Sequence, residues 1–492
     1  MKNEENEDNF EIDSLDNEDY DEEYYSEYDD DHIELESIIS KSSSNSSISK
    51  FQNILKNLSE EDISDIYVDV YEQISEFLVN NILSISSPNF YKNMFEAISN
   101  TLFEEWLEAG FFLYDDDEEN KENLLEIQEL VEQLWNVYVD FSNIPQRSIS
   151  YEFIRNEIII EGFSDSVSKK IENLQNIPQP IQRSQEWYEF RNNLLSASSL
   201  WKVFGTESQI NSLIYEKCSP TSQHGYDFSK TNTESAAHWG IKYEPVTVMI
   251  YENMFHTKIG DFGCIQHPRY KFIGASPDGI NIDSKSSRYG RMLEIKNIVN
   301  REITGIPKEE YWIQTQIQME TCDLEECDFM ETRFLEYSNS EEFFKDDKRE
   351  YRGIILYFIE KDRNSPTVGI PKYEYMPLSI EINYESINNW ITNIRKEHKK
   401  NGLNLLFSTI YWYLEEYSCV LIPRNRLWFQ EALPKIEQTW EIILKERVEG
   451  YEHRNSKKKI LANTIVSSDT TSNNYLIENL KINKSICLVK LN

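Results

Sequence analysis

Asp278, Glu294 and Lys296 are the residues whose types and spacing best suit a reaction. They lie in Phe272-Ile-Gly-Ala-Ser-Pro-Asp278-Gly279, a Gly- and Ser-bearing turn, and Gly290-Arg-Met-Leu-Glu294-Ile-Lys296. A strand alternates sides at every residue, so Glu294 and Lys296 share one face while Leu293 and Ile295 take the other. A hairpin would bring Asp278, at the end of the preceding strand, beside them. Two carboxylates and one ammonium suit hydrolysis of a phosphodiester. The carboxylates hold Mg²⁺, which prefers hard oxygen ligands, with Mn²⁺ as a substitute, and the metal acidifies a water and polarises the phosphate. Lys296 would orient that water or neutralise the charge growing on the phosphate. Each piece alone is common, since Ser-Pro-Asp-Gly is an ordinary turn and Glu-x-Lys an ordinary strand ion pair. Their order, their separation and the apolar strand around Glu294 set them apart, because burying a charge there is costly.

Several elements must hold these groups. The composition predicts helices over Trp187–Phe204 and Ala236–Phe255 and strands over Phe262–Gln266, Tyr270–Ala275, Arg291–Val299 and Cys327–Leu335. Ile354–Ile359 is a nearly continuous apolar run suited to a buried strand. Helices flanking a mixed sheet follow. Beyond Tyr384 the pattern reads as helical to about Glu449, with Gln430–Val448 amphipathic. Upstream, Ile66, Val70, Ile74, Phe77, Leu78 and Ile82, then Leu124, Ile127, Leu130, Val131 and Leu134, recur at helical spacing on either side of the acidic loop Asp115–Asn123. The chain therefore divides into an arm (1–50), a helical N-terminal domain (51–180) ending at the Ile177–Pro180 hinge, a catalytic domain with C-terminal helices (181–450), and a basic tail (451–492).

Charge is unevenly spread over the 492 residues. The net charge is −38, but residues 1–36 hold 18 Asp and Glu against one Lys, so −17 sits in the arm and −21 is left for the rest. The arm and the serine tract that follows lack the apolar content to offset ordering entropy. Elsewhere, 39% hydrophobic and 13% aromatic residues are enough for a large core. Between Arg269 and Lys308, eight Lys and Arg face four acids, which reads as a positive strip for DNA, and His453–Asn492 carries a balance of +5. The acidic N-terminus does not suit a signal peptide, and the best membrane candidate, Leu403–Leu414, is broken by Asn404, Ser408 and Thr409. Six unpatterned cysteines suit a reducing compartment, with Cys322 and Cys327 read as buried thiols.

Further segments resemble the phage lambda exonuclease and YqaJ-like viral recombinase family of the PD-(D/E)xK nuclease superfamily, in family order. Trp187-x-x-x-Arg191 followed by Ser196-Ala197-Ser198 is similar to its opening motif, with Ser196 where the family often has Thr. Gly240-Ile-Lys-Tyr-Glu244 resembles its G-x-x-x-E, and Tyr311-Trp-Ile-Gln314-Thr-Gln316-Ile-Gln318-Met319 its Y-x-x-Q-x-Q helix. The likeness covers about Arg183–Leu335, roughly a third of the chain. It implies an α/β fold with a restriction-endonuclease-like PD-(D/E)xK core, a mixed central sheet flanked by helices, with the helical N-terminal domain added. It implies Glu244, Asp278 and Glu294 as metal ligands or their support, Lys296 as the catalytic lysine, and Gln314 and Gln316 at the scissile phosphate or water. Arg191, Ser198 and Ser276 match positions that hold a 5′-terminal phosphate. The implied activity is a Mg²⁺-dependent 5′ to 3′ exonuclease on double-stranded DNA, serving recombination, repair or genome processing in a large DNA virus, with a single-strand annealing protein as partner. The expected place is the host cytoplasm or a viral factory, with the nucleus open, no membrane and no secretion; oligomeric state stays open. Two alternatives remain, an endonuclease or RNase of the same fold and an inactive DNA-binding scaffold. Plainer readings stand beside individual residues: Glu244 as a solvated helix residue, Gln318 as packing or a cap, His238 and His267 as structural, Trp239 and Trp312 as core, and Asp283 as a turn residue.

Overall fold

The computed structural model describes residues 59–110, 117–142, 144–151, 163–180, 184–220, 233, 235–360, 371–400 and 404–455. The acidic arm and nearly all of the basic tail lie outside the described residues. The chain forms two compact units, one of residues 1–81 and 91–143, the other of residues 82–90 and 144–492.

In the first unit, α1 (Glu60–Asn80), α2 (Phe90–Glu108) and α3 (Asp117–Phe141) carry the heptad-like apolar stripes seen in the sequence. Val70, Ile74 and Leu78 of α1, Met94, Ile98 and Leu102 of α2, and Ile127, Leu130 and Val131 of α3 are buried. Ser59 caps α1, accepting from Asp62 N at 3.1 Å, while Asp62 Oδ2 accepts from Ser59 N at 3.0 Å. α3 opens at residue 117, so residues 117–123, read from the sequence as part of an acidic loop, are helical instead.

The long run of the second unit starts at residue 144, earlier than the hinge read at Ile177–Pro180. The reason is local bonding. Strand β1 (Ile149–Ser150) pairs with Leu421 and Val420, and Arg147 donates to Ser86 O at 3.0 Å while its own carbonyl accepts from Trp312 Nε1 at 2.7 Å. Then follow α4 (Phe163–Gln175), α5 (Gln185–Asn192), β2 (Leu195–Ser196), α6 (Ala197–Leu200), α7 (Glu207–Cys218) and α8 (Ala236–Phe255). The single helix expected over Trp187–Phe204 is broken. Ser196, Ser198 and Ser199 bond one another's hydroxyls instead of supporting a regular helix, with Ser196 Oγ to Ser199 Oγ at 2.9 Å.

Strands β3 (Ile259–Gly260), β4 (Ile265–Gln266), β5 (Ile273–Ala275), β6 (Gly279–Asn281) and β7 (Met292–Asn297) lead to α9 (Glu309–Cys322). After them come β8 (Glu326–Glu336), α10 (Ser340–Lys345), β9 (Arg352–Glu360), β10 (Lys372–Tyr375), α11 (Tyr384–Lys400), β11 (Asn404–Pro423) and α12 (Arg426–Glu449). The main sheet runs β10-β9-β11-β8-β7-β6-β3 with β1 on β11, and a small sheet runs β2-β5-β4. In the main sheet β7 and β8 are parallel and the other pairs antiparallel, so the sheet is mixed, as expected.

One expectation fails outright. The segment read as helical after Tyr384 holds a 20-residue strand, β11. A continuous apolar run does not distinguish helix from buried strand by period, and Ile410, Tyr411, Trp412, Tyr413, Val420 and Ile422 have the β-branched or aromatic side chains that fit a pleated surface. Its first half pairs with β9 and its second with β8, with register shifts at Leu406/Ser408 and Leu414/Glu416 where the strand bends.

Both faces of this sheet are covered. Leu293, Ile295, Met330, Phe334, Ile355 and Trp412 pack with Tyr243, Val246, Ile250 and Tyr251 of α8. Ile354, Leu356 and Phe358 point the other way, to Phe343 of α10 and Ile387 of α11. Among the described residues no helix is long and apolar enough to cross a membrane.

Candidate active site

The hairpin β6–β7 pairs Gly279 with Leu293 and Ile280 with Met292, which leaves Asp278 at its mouth. Asp278 Oδ2 accepts from Ile295 N at 2.7 Å, so the carboxylate is anchored to the strand that carries the other two groups. Leu293 and Ile295 enter the apolar core against α8, and Glu294 and Lys296 take the opposite side, as alternation requires. Glu294 is only 1% exposed. Burial at that level costs several kcal/mol unless each oxygen is bonded, and here each is. Oε1 accepts from Gln314 Nε2 at 2.6 Å and from Lys296 Nζ; Oε2 accepts from Gln318 Nε2 at 2.7 Å. Lys296 Nζ also donates to Gln314 Oε1 at 3.3 Å and lies 5.0 Å from the centre of the Tyr311 ring.

Helix α9 supplies the glutamines, and it is buried on every side from Trp312 to Met319. Spacing separates its polar groups. Gln314 and Gln318, four apart, share the face toward Glu294. Gln316 points elsewhere: its Nε2 donates to Pro423 O at 2.9 Å and its Oε1 accepts from Asn425 N at 2.7 Å. The catalytic place expected for Gln316 is therefore corrected to a structural one, tying the end of β11 to the start of α12. Gln318, read from the sequence as packing or a cap, belongs to the site instead; its distance of four residues from Gln314 was the available signal.

The electrostatics are those of crowded acids. Burial, and then the charge of Glu294, hold the Asp278 carboxyl well above the ordinary value, with Lys296 and the Ile295 N–H pulling the other way. Glu244 of α8, at the rim of the cluster, has its carboxyl raised by desolvation and then by the charges of Glu294 and Asp261. For Lys296, burial opposes the charge, but Glu294 and Asp278 overcome it and raise its pKa, so the group is a firm ammonium. Among the described residues no three His, Cys, Asp or Glu side chains stand together at metal-binding spacing. The donor chemistry nonetheless fits a hard cation. Asp278, Glu294 and Glu244 offer only carboxylate oxygens and repel one another, which a divalent ion would relieve.

Beside this cluster lies a small open pocket lined by Arg191, Ser196, Ala197, Ser198, Ser276, Gln314 and Gln318. Arg191 Nη1 donates to Ser276 Oγ at 3.4 Å, and its guanidinium stacks 4.8 Å from the Trp187 ring. Ser198 and Ser196 share a hydroxyl contact at 3.3 Å. The three residues expected to hold a phosphate are thus brought together, and the pocket shares two walls with the carboxylate cluster.

Other candidates resolve as structural. Neutral His267 stacks on Phe429, its Nδ1 accepting from Arg269 N and Tyr270 N. Burial, helped by Arg424, lowers its pKa to about 4. His238 bonds Tyr373 OH at 2.7 Å, Trp312 is fully buried, and Asp283 Oδ1 accepts from Lys285 N at 3.0 Å in a turn. Cys322 and Cys327 are buried free thiols, the former pushed by burial up to about 12. The positive strip read over Arg269–Lys308 is largely spent inside the fold. Arg288 and Arg291 are buried on Asp328, and Arg301 pairs with Glu331; Arg269, Lys271, Lys285 and Lys308 remain exposed.

Comparison with known proteins gives these findings. An uncharacterized protein of Acanthamoeba polyphaga mimivirus is 29% identical over 320 residues, spanning 58% of this chain and 57% of the relative, so the match covers little more than half the relative's length. Crystal structures of an alkaline exonuclease from Laribacter hongkongensis, LHK-Exo, are similar at 18% identity. The complex with dAMP covers 55% of this chain and 97% of that one at a TM-score of 0.32, and a second structure covers 57% and 100% at 0.30. Residues 186–325 match the family described as the YqaJ-like viral recombinase domain, and that stretch runs from α5 through the hairpin to the end of α9. Residues 186–325 are thus similar to the YqaJ-like viral recombinase domain, and Arg191, Asp278, Glu294, Lys296 and Gln314 all lie inside that stretch.

Proposed function

We propose that this protein is a Mg²⁺-dependent deoxyribonuclease that degrades double-stranded DNA from its ends, 5′ to 3′. The observation that carries this reading is the shared wall: Gln314 and Gln318 line the Arg191–Ser198–Ser276 pocket and bond Glu294. A terminal phosphate seated there sets the neighbouring phosphodiester by a fixed distance from the carboxylates and Lys296.

Asp278 and Glu294, with Glu244 at the rim, would hold the metal. When bound, the ion supplies a water acidified near neutral pH and polarises the phosphate. The rest falls to the chain. Lys296, kept charged by two carboxylates, faces the phosphate as a donor and offsets the negative charge that builds as the P–O bond breaks. Gln314 fixes both partners, donating to Glu294 and accepting from Lys296. Arg191 and the serine hydroxyls make charge-assisted bonds to the terminal phosphate. A strand-annealing protein is the partner that would take up the 3′ single strand so exposed, and the mimivirus relative supports a viral factory or host cytoplasm as the place.

The test uses one linear duplex with 5′-phosphates, the same duplex with 5′-hydroxyls, and closed circular DNA, each with Mg²⁺. Phosphorylated ends should be degraded fastest, the circle should survive, and Arg191→Ala should erase most of the end preference. Equal rates on all three would reject end-directed cleavage and favour the endonuclease alternative.

A further inference from the structure

Gln318, like Gln314, touches both halves of the site. Its Nε2 donates to Glu294 Oε2 at 2.7 Å and to the Ser276 carbonyl at 3.3 Å. Its Oε1 is buried with no hydrogen-bond partner among the described residues. The orientation is dictated by the neighbours, because turning the amide would set Oε1 against a carboxylate and a carbonyl, both acceptors. At 1% exposure on a helix buried all round, the amide does not reach bulk water.

Keeping a glutamine there is unfavourable as packing. A methionine or leucine fills similar volume with no polar atom to orphan, and a buried unpaired acceptor costs about 1–3 kcal/mol. What the amide adds is a bridge. On one side it holds the backbone of Ser276, whose hydroxyl meets Arg191 in the pocket and which lies two residues before Asp278 across the stiff Pro277. On the other it holds one oxygen of Glu294, whose second oxygen holds Lys296 and Gln314. A phosphate drawn onto Arg191 and Ser276 would shift the Ser276–Asp278 turn, and the bridge would pass that shift to Glu294 and so to Lys296.

The geometry points to Gln318 as a positioning residue that couples filling of the terminal-phosphate pocket to alignment of Glu294 and Lys296. This rests on the end-directed nuclease reading above. The coupling explains why an acceptor is left bare: both amide hydrogens are committed to the two ends of the bridge.

The experiment compares wild type with Gln318→Met, which keeps length and volume but removes both donors. Steady-state kinetics are measured with Mg²⁺ on linear duplex bearing 5′-phosphate or 5′-hydroxyl ends, and thermal melting shows that the variant folds. The expected result is a fall of about tenfold in the ratio of kcat on phosphorylated to hydroxyl ends, with KM for phosphorylated ends changed by less than about threefold. Gln318→Asn, one methylene too short to span the gap, should behave alike and serves if the methionine variant does not fold. Equal losses on both ends would mark a merely structural residue and overturn the coupling. A wild-type preference that survives in both variants overturns it as well and leaves the end-directed reading standing. A wild type with no preference overturns that reading itself, and the coupling with it.

Discussion

Asp278 shows how far single residues explain the site. Its carboxyl is raised by burial and by Glu294, so the folded protein disfavours its charged form. The sign follows: between the ordinary carboxylate value and the raised one, the folded state binds more protons, and stability falls as pH rises through that window. Asp278→Asn keeps an acceptor for the Ile295 N–H while removing the charge. In EDTA at neutral pH it should therefore melt higher than wild type, with the gap narrowing as pH falls. Cleavage should be abolished in the same protein. A lower melting temperature would mean that the carboxylate is relieved by partners other than those seen here. Legibility at this scale was good wherever a strand or hairpin fixed the geometry, as for Glu294, Lys296 and Asp278. It was poor on α9, where Gln314, Gln316 and Gln318 look alike in sequence. Only the packing of α9 tells which face meets Glu294 and which meets Pro423.

At the scale of elements, the hairpin loop depends on Gly290. It adopts φ +82°, and a Cβ there would stand 2.3 Å from Val167 Cγ1 of α4. Gly290→Ala should cost about 1–3 kcal/mol in thermal or urea unfolding and displace β7, so nuclease activity should fall at temperatures where the protein remains folded. By contrast, Gln316→Ala should lower stability by about 1–3 kcal/mol, leaving an N–H and a C=O unpaired at the β11–α12 junction, while the preference for 5′-phosphate ends persists. Loss of that preference would return Gln316 to the reaction. Helix α8 was legible to the residue, and in the structure Ser235 caps it and a left-handed His256 ends it. Strand β11 was not legible. Its apolar run fits either period, and what decides is the presence of two partner strands, one on each half, that no local pattern announces.

For the whole molecule, the charge distribution sets the expectation. With −17 of the −38 in residues 1–36, a protein beginning at Phe51 should keep its cleavage rate and bind duplex more tightly at low salt. The gain should vanish as salt rises, since the Debye length is only about 10 Å at 0.1 M. It would show as a lower Kd in fluorescence anisotropy at 20 mM salt and no change at 200 mM. A large loss of turnover on truncation would place the arm in the catalytic machinery. A net charge of −38 speaks against indiscriminate binding of nucleic acid, while the local count over Arg269–Lys308 reads as a positive strip for DNA. The fold tempers both, because Arg288, Arg291 and Arg301 serve as internal counter-ions and leave a weaker exposed strip.

The shared strand has a consequence for the order of events during synthesis. Until residue 423 has left the ribosome, β8 has β7 on one side and a bare edge on the other, and β9 likewise lacks its inner neighbour. Such edges recruit other strands, so a stalled or truncated chain is a hazard for aggregation rather than a partly working enzyme. Gln316, too, waits for Pro423 and Asn425 before α9 is fastened. The support of the Glu294 cluster is thereby completed only after translation has passed well beyond Gln318, the last residue of that cluster.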